Sequence, residues 1–208
     1  MSGFDQNQLK KTDEELALAM QSGELAAFTE LMRRYEEKIT RYLGHLVGST
    51  EAPDISQETF LKVYHNIQSF DATRKFSSWV YRIAHNAGVN WLRRDGQMKR
   101  LTFSFDTVWP ASAEEERPIF EPADTGPTLD SNYDQKEALA RAEELINKLD
   151  IKYREVLYLR YWEDFSYEQI SESLRIPIAT VGVRLKRAKE HLRLELAQAK
   201  FVTAVQEI

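Results

Sequence analysis

From Thr12 to Arg94 the apolar residues recur at helical intervals rather than in alternation. Thr12 before Asp13-Glu14-Glu15 reads as a cap followed by acids in a first turn, and Leu16 and Met20 then share an inward face. After Gly23 the pattern resumes as Leu25, Phe28, Leu31, Met32 and Tyr35, all expected in the core. A third helix, DISQETFLKVYHNI, is expected from Pro53 with two unlike faces. Phe60, Val63 and Ile67 make the side expected to be buried, whereas Asp54, Gln57, Glu58, Leu61 and His65 form an exposed stripe at i, i+3, i+4, i+7 and i+11. Acids near a helix start favour the macrodipole, so capping and solvation account for Asp54 and Glu58 as well as docking does. The leucine amid the polar stripe is what points to a docking surface.

The next helix, Phe76 to Arg94, again has two faces. Val80, Ile83, Ala84, Ala87 and Trp91 line one; Trp79, Arg82, Asn86, Asn90 and Arg93 line another. An indole, amides and guanidinium groups together can stack on an unpaired base, bond its edge and neutralise its backbone. The preceding loop, Ser69 to Lys75, adds Phe70, Arg74 and Lys75. A single-stranded nucleic acid fits such a surface, although for any one aromatic, Trp79 and Phe70 included, a core position is the commoner case.

Near the other end, Ser166 to Leu174 reads as a short capped helix and Arg175-Ile176-Pro177 as a tight turn, with a second helix starting at Ile178. In that second helix Val181, Leu185, Ala188 and Leu192 form a narrow apolar seam that needs a partner helix. The opposite side carries Val183, Lys186, Arg187 and Glu190, with Arg184 and Lys189 flanking the seam. This is the pattern of a helix-turn-helix whose basic helix suits the phosphates lining a major groove. On charge alone a solvated amphipathic helix would serve equally well.

Composition adds limits. A chain of 208 residues, 42% of them hydrophobic, can bury one or two cores. The lack of cysteine excludes a disulfide scaffold and a thiolate metal site. No signal peptide core and no bilayer-spanning run is evident, so a cytoplasmic protein without membrane insertion is expected. His45, His65, His85 and His191 are scattered without ligand spacing, and neither a glycine-rich phosphate loop nor a nucleophile motif occurs. No catalytic residue, metal or cofactor is expected, and the chain does not read as an enzyme. The net charge of −5 is awkward for an autonomous DNA binder, but the acid is unevenly placed. Between Thr102 and Asp134 stand eight carboxylates, one cation and four prolines. The expected organisation is therefore all-α: a helical domain over 12–100, an acidic flexible linker over 101–134 and a second small helical domain over 135–198.

The pairing of Asp54-Ile55-Ser56-Gln57-Glu58-Thr59-Phe60 with Phe76-Ser77-Ser78-Trp79-Val80-Tyr81-Arg82-Ile83-Ala84-His85-Asn86, followed by a helix-turn-helix containing Thr180-Val181, Arg184-Leu185 and Arg187-Ala188, resembles the extracytoplasmic-function sigma factors of bacterial RNA polymerase. The likeness spans both helical blocks in order, which would be sigma regions two and four. It implies that Asp54, Gln57, Glu58 and Leu61 dock on the β′ clamp helices of core polymerase, with the β flap as a further contact. It also implies that Asn66, Phe70 and Asn86, supported by Trp79, capture a base flipped from the minus-ten element. Arg74, Lys75, Arg82, Asn90 and Arg93 would hold the strand around it. Flipping costs roughly a few kcal/mol of unstacking, which a pocket for the extruded base can offset. The resemblance assigns the minus-thirty-five duplex to Thr180, Val183, Arg184, Lys186 and Arg187, and makes promoter DNA, core RNA polymerase and an anti-sigma factor the expected partners. The linker would thread near the template channel and RNA exit path.

The start of the basic helix departs from the family's usual Gly-Thr-Val-Lys/Arg-Ser-Arg, reading Ala179-Thr180-Val181-Gly182-Val183-Arg184. Gly182 offers no side chain and costs a helix roughly 1 kcal/mol relative to alanine. Base reading then shifts toward Lys186 and Arg187. The rival reading is a free-standing helix-turn-helix repressor that dimerises through its N-terminal helices; it leaves the Asp54 and Trp79 stripes without a role.

Overall fold

A capping box starts the first helix. Glu15 N–H donates to Thr12 Oγ1 at 3.2 Å and Thr12 N–H to Glu15 Oε2 at 2.7 Å, which satisfies two otherwise orphaned donors. The computed structural model describes residues 11–95, 146 and 148–206, with side chains as far as 194. The segment expected as the acidic linker lies outside them. The described residues form seven α-helices, one 3-10 turn and no strand. In order these are α1 (Asp13–Gln21), α2 (Leu25–Val47), α3 (Ala52–Asn66), the turn Ile67–Ser69, α4 (Phe76–Arg94), α5 (Ile151–Tyr161), α6 (Tyr167–Leu174) and α7 (Ile178–Gln206).

Helix α2 is the spine of the first block. Ala27, Leu31, Tyr35, Ile39, Tyr42 and Leu46 are buried along it, and α1, α3 and α4 pack around it. Expected core residue Leu25 is instead 63% exposed. It lies six residues before Leu31, about 120° round the helix at 100° per residue, and Ala27 takes the core position four before Leu31. Helices α2 and α4 cross closely at Gly88, where an added Cβ would sit 2.5 Å from Leu46 Cδ2. Helix α3 starts one residue earlier than expected, with Pro53 in its first turn, where a missing N–H is harmless.

In the second block Ser166 and Gln169 form another capping box, and α6 ends on Arg175 in the left-handed conformation, φ 53°. Ile176 N–H then donates to the Ser171 carbonyl at 3.2 Å, while Ser171 Oγ donates to the Ile176 carbonyl at 2.6 Å. These bonds, together with Pro177, fix the tight turn into α7. Val181, Leu185 and Ala188 are buried against α5 and α6, as the seam requires.

The blocks are not separate bodies. Helix α6 packs on α4 and α5 on α2, so that a single hydrophobic cluster runs through both. Tyr81 meets Phe165 edge-on at 5.0 Å, and Tyr42 meets Tyr158 at 5.8 Å. Such aromatic pairs contribute roughly 0.5–1.5 kcal/mol each beyond the area they bury.

Candidate nucleic-acid interface

Helix α3 divides as its sequence requires. Ile55, Thr59, Phe60 and Val63 face the core, while Asp54, Gln57, Glu58, Leu61 and His65 are all exposed. Glu58 pairs with Lys62 at 2.6 Å one turn on, a contact that solvent makes weak. Leu61 is 61% exposed, and beside it Tyr64 packs on Phe28 with ring centroids 5.3 Å apart. Tyr64 thus extends an apolar edge along the stripe; it did not stand out in the sequence as surface, because a tyrosine among apolar residues usually marks a core.

The loop between α3 and α4 is held from inside. Phe70 and Trp79, expected on the nucleic-acid face, are instead buried, packing with Phe76 at ring distances of 5.4–5.8 Å. Their apolar area outweighs display, and they act as the loop's internal support. Gln21 of α1 clamps the loop by donating through Nε2 to the carbonyls of Ile67 and Phe70 at 2.8 and 2.9 Å. Asp71 Oδ1 accepts from Thr73 N–H and Thr73 Oγ1, an Asx turn, and these bonds hold its carboxyl below the usual range. Glu14 Oε1 accepts the first free N–H of α4, from Phe76, at 3.2 Å. In the sequence Glu14 stood out only as a first-turn acid, and neither Gln21 nor the Asp71 turn was marked.

What the loop and α4 present outward is polar. Asn66, Arg74 and Lys75 are exposed at the loop, and Asn86, Asn90 and Arg93 along α4, with Arg82 half-buried between them. On α7, Val183 and Lys186 are exposed, and Thr180 and Arg187 are half-buried. Arg184 turns back to α5, where its Nη1 donates to Glu155 Oε1 at 3.0 Å. Glu155 is buried, and His85 Nδ1 of α4 lies 3.3 Å from its other oxygen. The Tyr42 hydroxyl sits 3.3 Å from the same His85 nitrogen, its pKa pushed well up by burial and then by the Glu155 charge. One carboxylate thus ties α7, α5 and α4 together.

No group of three or more potential metal ligands occurs among the described residues, and no described helix is long and apolar enough to cross a membrane. Residues 31–97 match the family described as Sigma-70 region 2, and residues 139–192 the one described as Sigma-70, region 4. Over 178 residues the chain is 34% identical to the ECF RNA polymerase sigma factor SigW of Bacillus subtilis, covering 85% of this chain and 92% of that protein. The chain belongs to the ECF sigma factors.

The ECF RNA polymerase sigma-E factor of Haemophilus influenzae is similar at 32% identity over 185 residues, 86% of this chain and 92% of that one. Among solved structures, CnrH in complex with the cytosolic domain of CnrY superposes with a TM-score of 0.63 at 23% identity, over 90% of this chain and 99% of that one. The sigma factor RpoE of Bartonella quintana, solved with the anti-sigma factor NepR, gives 0.58 at 22% identity, over 82% and 96%. At such identity the likeness speaks to the fold alone. As an ECF sigma factor this protein is a non-enzymatic transcription initiation factor that directs RNA polymerase. A free-standing repressor would have no use for region 2, and that reading is set aside. Helix α1 falls before the region 2 match, yet it supplies Gln21 and Glu14 to the loop.

Proposed function

We propose that this sigma factor reads the minus-ten element as a melted strand on the outer edge of the α3–α4 loop and α4, and the minus-thirty-five element as duplex on α7. The observation that carries the reading is the division of labour at that loop. Phe70, Trp79 and Gln21 fix it from within, which leaves Asn66, Arg74, Lys75, Asn86, Asn90 and Arg93 outward as amides and cations around one surface. Amides can bond a flipped base edge and cations its phosphates. Phe70 and Trp79 then act by positioning, with no stacking contact of their own. On α7 the reading falls to Val183 and Lys186, with Thr180 and Arg187 beside them; Arg184, engaged by Glu155, orients the helix.

The exposed Asp54, Gln57, Glu58 and Leu61 stripe, a leucine among hydrogen-bonding groups, supports docking on the β′ clamp helices of core polymerase, with region 4 meeting the β flap. The functional units would be 12–100 and 135–198, joined by 101–134. CnrH and the Bartonella RpoE were each solved with a bound partner; a partner of the anti-sigma kind is inferred here too. Run-off transcription on fragmented genomic DNA tests the whole reading. Discrete start sites that need both core polymerase and this chain are expected. DNA retained by the chain alone, with no start sites, would refute it.

A further inference from the structure

The first two turns of α7 end outward in methyl groups. From Ile178 to Arg184 the only polar side chains are Thr180 and Arg184. Arg184 is drawn back to the buried Glu155 carboxylate at 3.0 Å and is only 19% exposed, so it does not lead the outward face. That face runs through Ala179, Val183, Lys186 and Glu190, at i, i+4, i+7 and i+11, and all four are exposed. The seam of Val181, Leu185 and Ala188 lies opposite, buried against α5 and α6. Thr180 and Arg187, half-buried, flank the stripe on one side, and Gly182 leaves the other flank bare.

Val183 is 47% exposed and forms no part of the core cluster. A β-branched residue there lowers helix propensity and gains the fold no burial in return. The same branching holds χ1 in essentially one rotamer, so the two methyls stand in a fixed place and lose little entropy on contact.

The chemistry around them selects the occupant. Lys186, Arg187 and Lys189 follow within the next two turns, so the methyls sit at the tip of a cationic surface that suits a polyanion. Helices that enter a major groove read base edges from their N-terminal residues. Among the groups displayed there, the apolar one is the C5 methyl of thymine; the rest are hydrogen-bond donors and acceptors. An apolar tip fits a thymine edge and offers no partner to the amino group of cytosine or the carbonyl of guanine.

We propose that Val183, backed by Ala179, specifies thymine at one position of the minus-thirty-five duplex by packing its methyls on the C5 methyl of that base. The inference rests on the assignment of α7 to that element. Lys186, one turn on, holds a phosphate and carries no part of the thymine preference.

Deoxyuridine in place of thymine removes the C5 methyl and keeps the base pair. Once run-off transcription has mapped a start site, each thymine of its minus-thirty-five element is replaced in turn, and promoter binding by the full-length chain with core polymerase is titrated. At one thymine the wild-type holoenzyme should lose about fourfold in affinity, the worth of one buried methyl-sized group. Val183→Ala should bind the thymine and deoxyuridine duplexes alike at that position. Lys186→Ala should weaken both equally and preserve their ratio.

Three results would overturn the proposal in different ways. A wild-type holoenzyme indifferent to every replacement, yet weakened when the same T·A pairs are inverted to A·T, would remove the thymine contact and leave the minus-thirty-five reading standing. Indifference to inversion as well would remove that reading and the contact with it. A thymine preference that survives in Val183→Ala, or that vanishes equally in Lys186→Ala, would trace the methyl's effect to DNA stiffness or to docking as a whole, and not to Val183.

Discussion

Two glycines inside helices should respond to alanine in opposite directions. Gly182 lies in the second turn of α7, and a Cβ built there meets nothing nearer than Tyr167 Cε2 at 3.7 Å, an ordinary contact. Gly182→Ala therefore gains helix propensity without a clash and should stabilise the protein by about 0.5–1 kcal/mol. For a chain of this size that raises Tm by about 2–4 °C per kcal/mol. At Gly88 the same propensity gain meets a Cβ only 2.5 Å from Leu46 Cδ2 and 3.3 Å from Leu43 Cδ2, both in the core. Overpacking of that kind costs about 1–3 kcal/mol, so Gly88→Ala should be destabilising on balance. Thermal melts and urea titrations of the full-length protein, followed by circular dichroism, give both signs. A Tm lowered by Gly182→Ala, or shifts of like sign in both variants, would refute the packing argument. If Gly182→Ala stabilises yet weakens promoter binding, the glycine serves close approach of α7 to the DNA backbone.

The Glu155 junction should be costly to break: Glu155→Ala leaves Arg184 and His85 facing a buried gap, and a loss of about 3 kcal/mol is expected in urea unfolding. A loss under about 1 kcal/mol would show that the junction is incidental. Glu30 has its carboxyl held down to about 2 by hydrogen bonds and charge from Arg33 and Arg34, which outweigh burial. Its folded pKa lies below its unfolded value, so its stabilisation is complete above about 4.5 and is lost as pH falls through about 2. Glu30→Gln should therefore show a shallower acid limb than wild type, and superimposable limbs would contradict the assignment. Asp54→Ala with Gln57→Ala should weaken core-polymerase binding in a pull-down titration while leaving Tm unchanged; unaltered affinity would remove the docking role. Asn86→Ala should impair permanganate-detected melting more than closed-complex binding, and equal loss in both would count against base capture.

Helix positions were legible because caps and periodicity acted locally. Thr12, Ser166 and the Arg175-Ile176-Pro177 turn all act where the sequence placed them, and α4 runs from Phe76 to Arg94 as its pattern required. The exposed stripe of α3 was equally readable, because one face alternates with an unambiguous core. Side chains whose role depends on another helix were not. Trp79 fell on the polar face of α4 by phase, but Phe70 and Phe76 meet it there and bury it. Arg184 was read as a phosphate ligand without its ion pair, because Glu155 reaches it from α5, which the sequence did not mark as a separate element. Leu25 was misplaced for a simpler reason: alanine at 27 left the true seam less apolar than its neighbour.

The hydrophobic cluster shared by α4, α5 and α6 bears on how such factors can be recombined. A chimera that grafts another sigma factor's promoter-reading end onto this region 2 would bring foreign residues against Tyr42, Tyr81 and Ser78. Unless the graft supplies equivalents of Tyr158, Phe165 and Ser173, it would expose a tyrosine-lined face to solvent. The two halves of this protein are matched parts, joined by the side chains that α4, α5 and α6 share as well as by the chain itself.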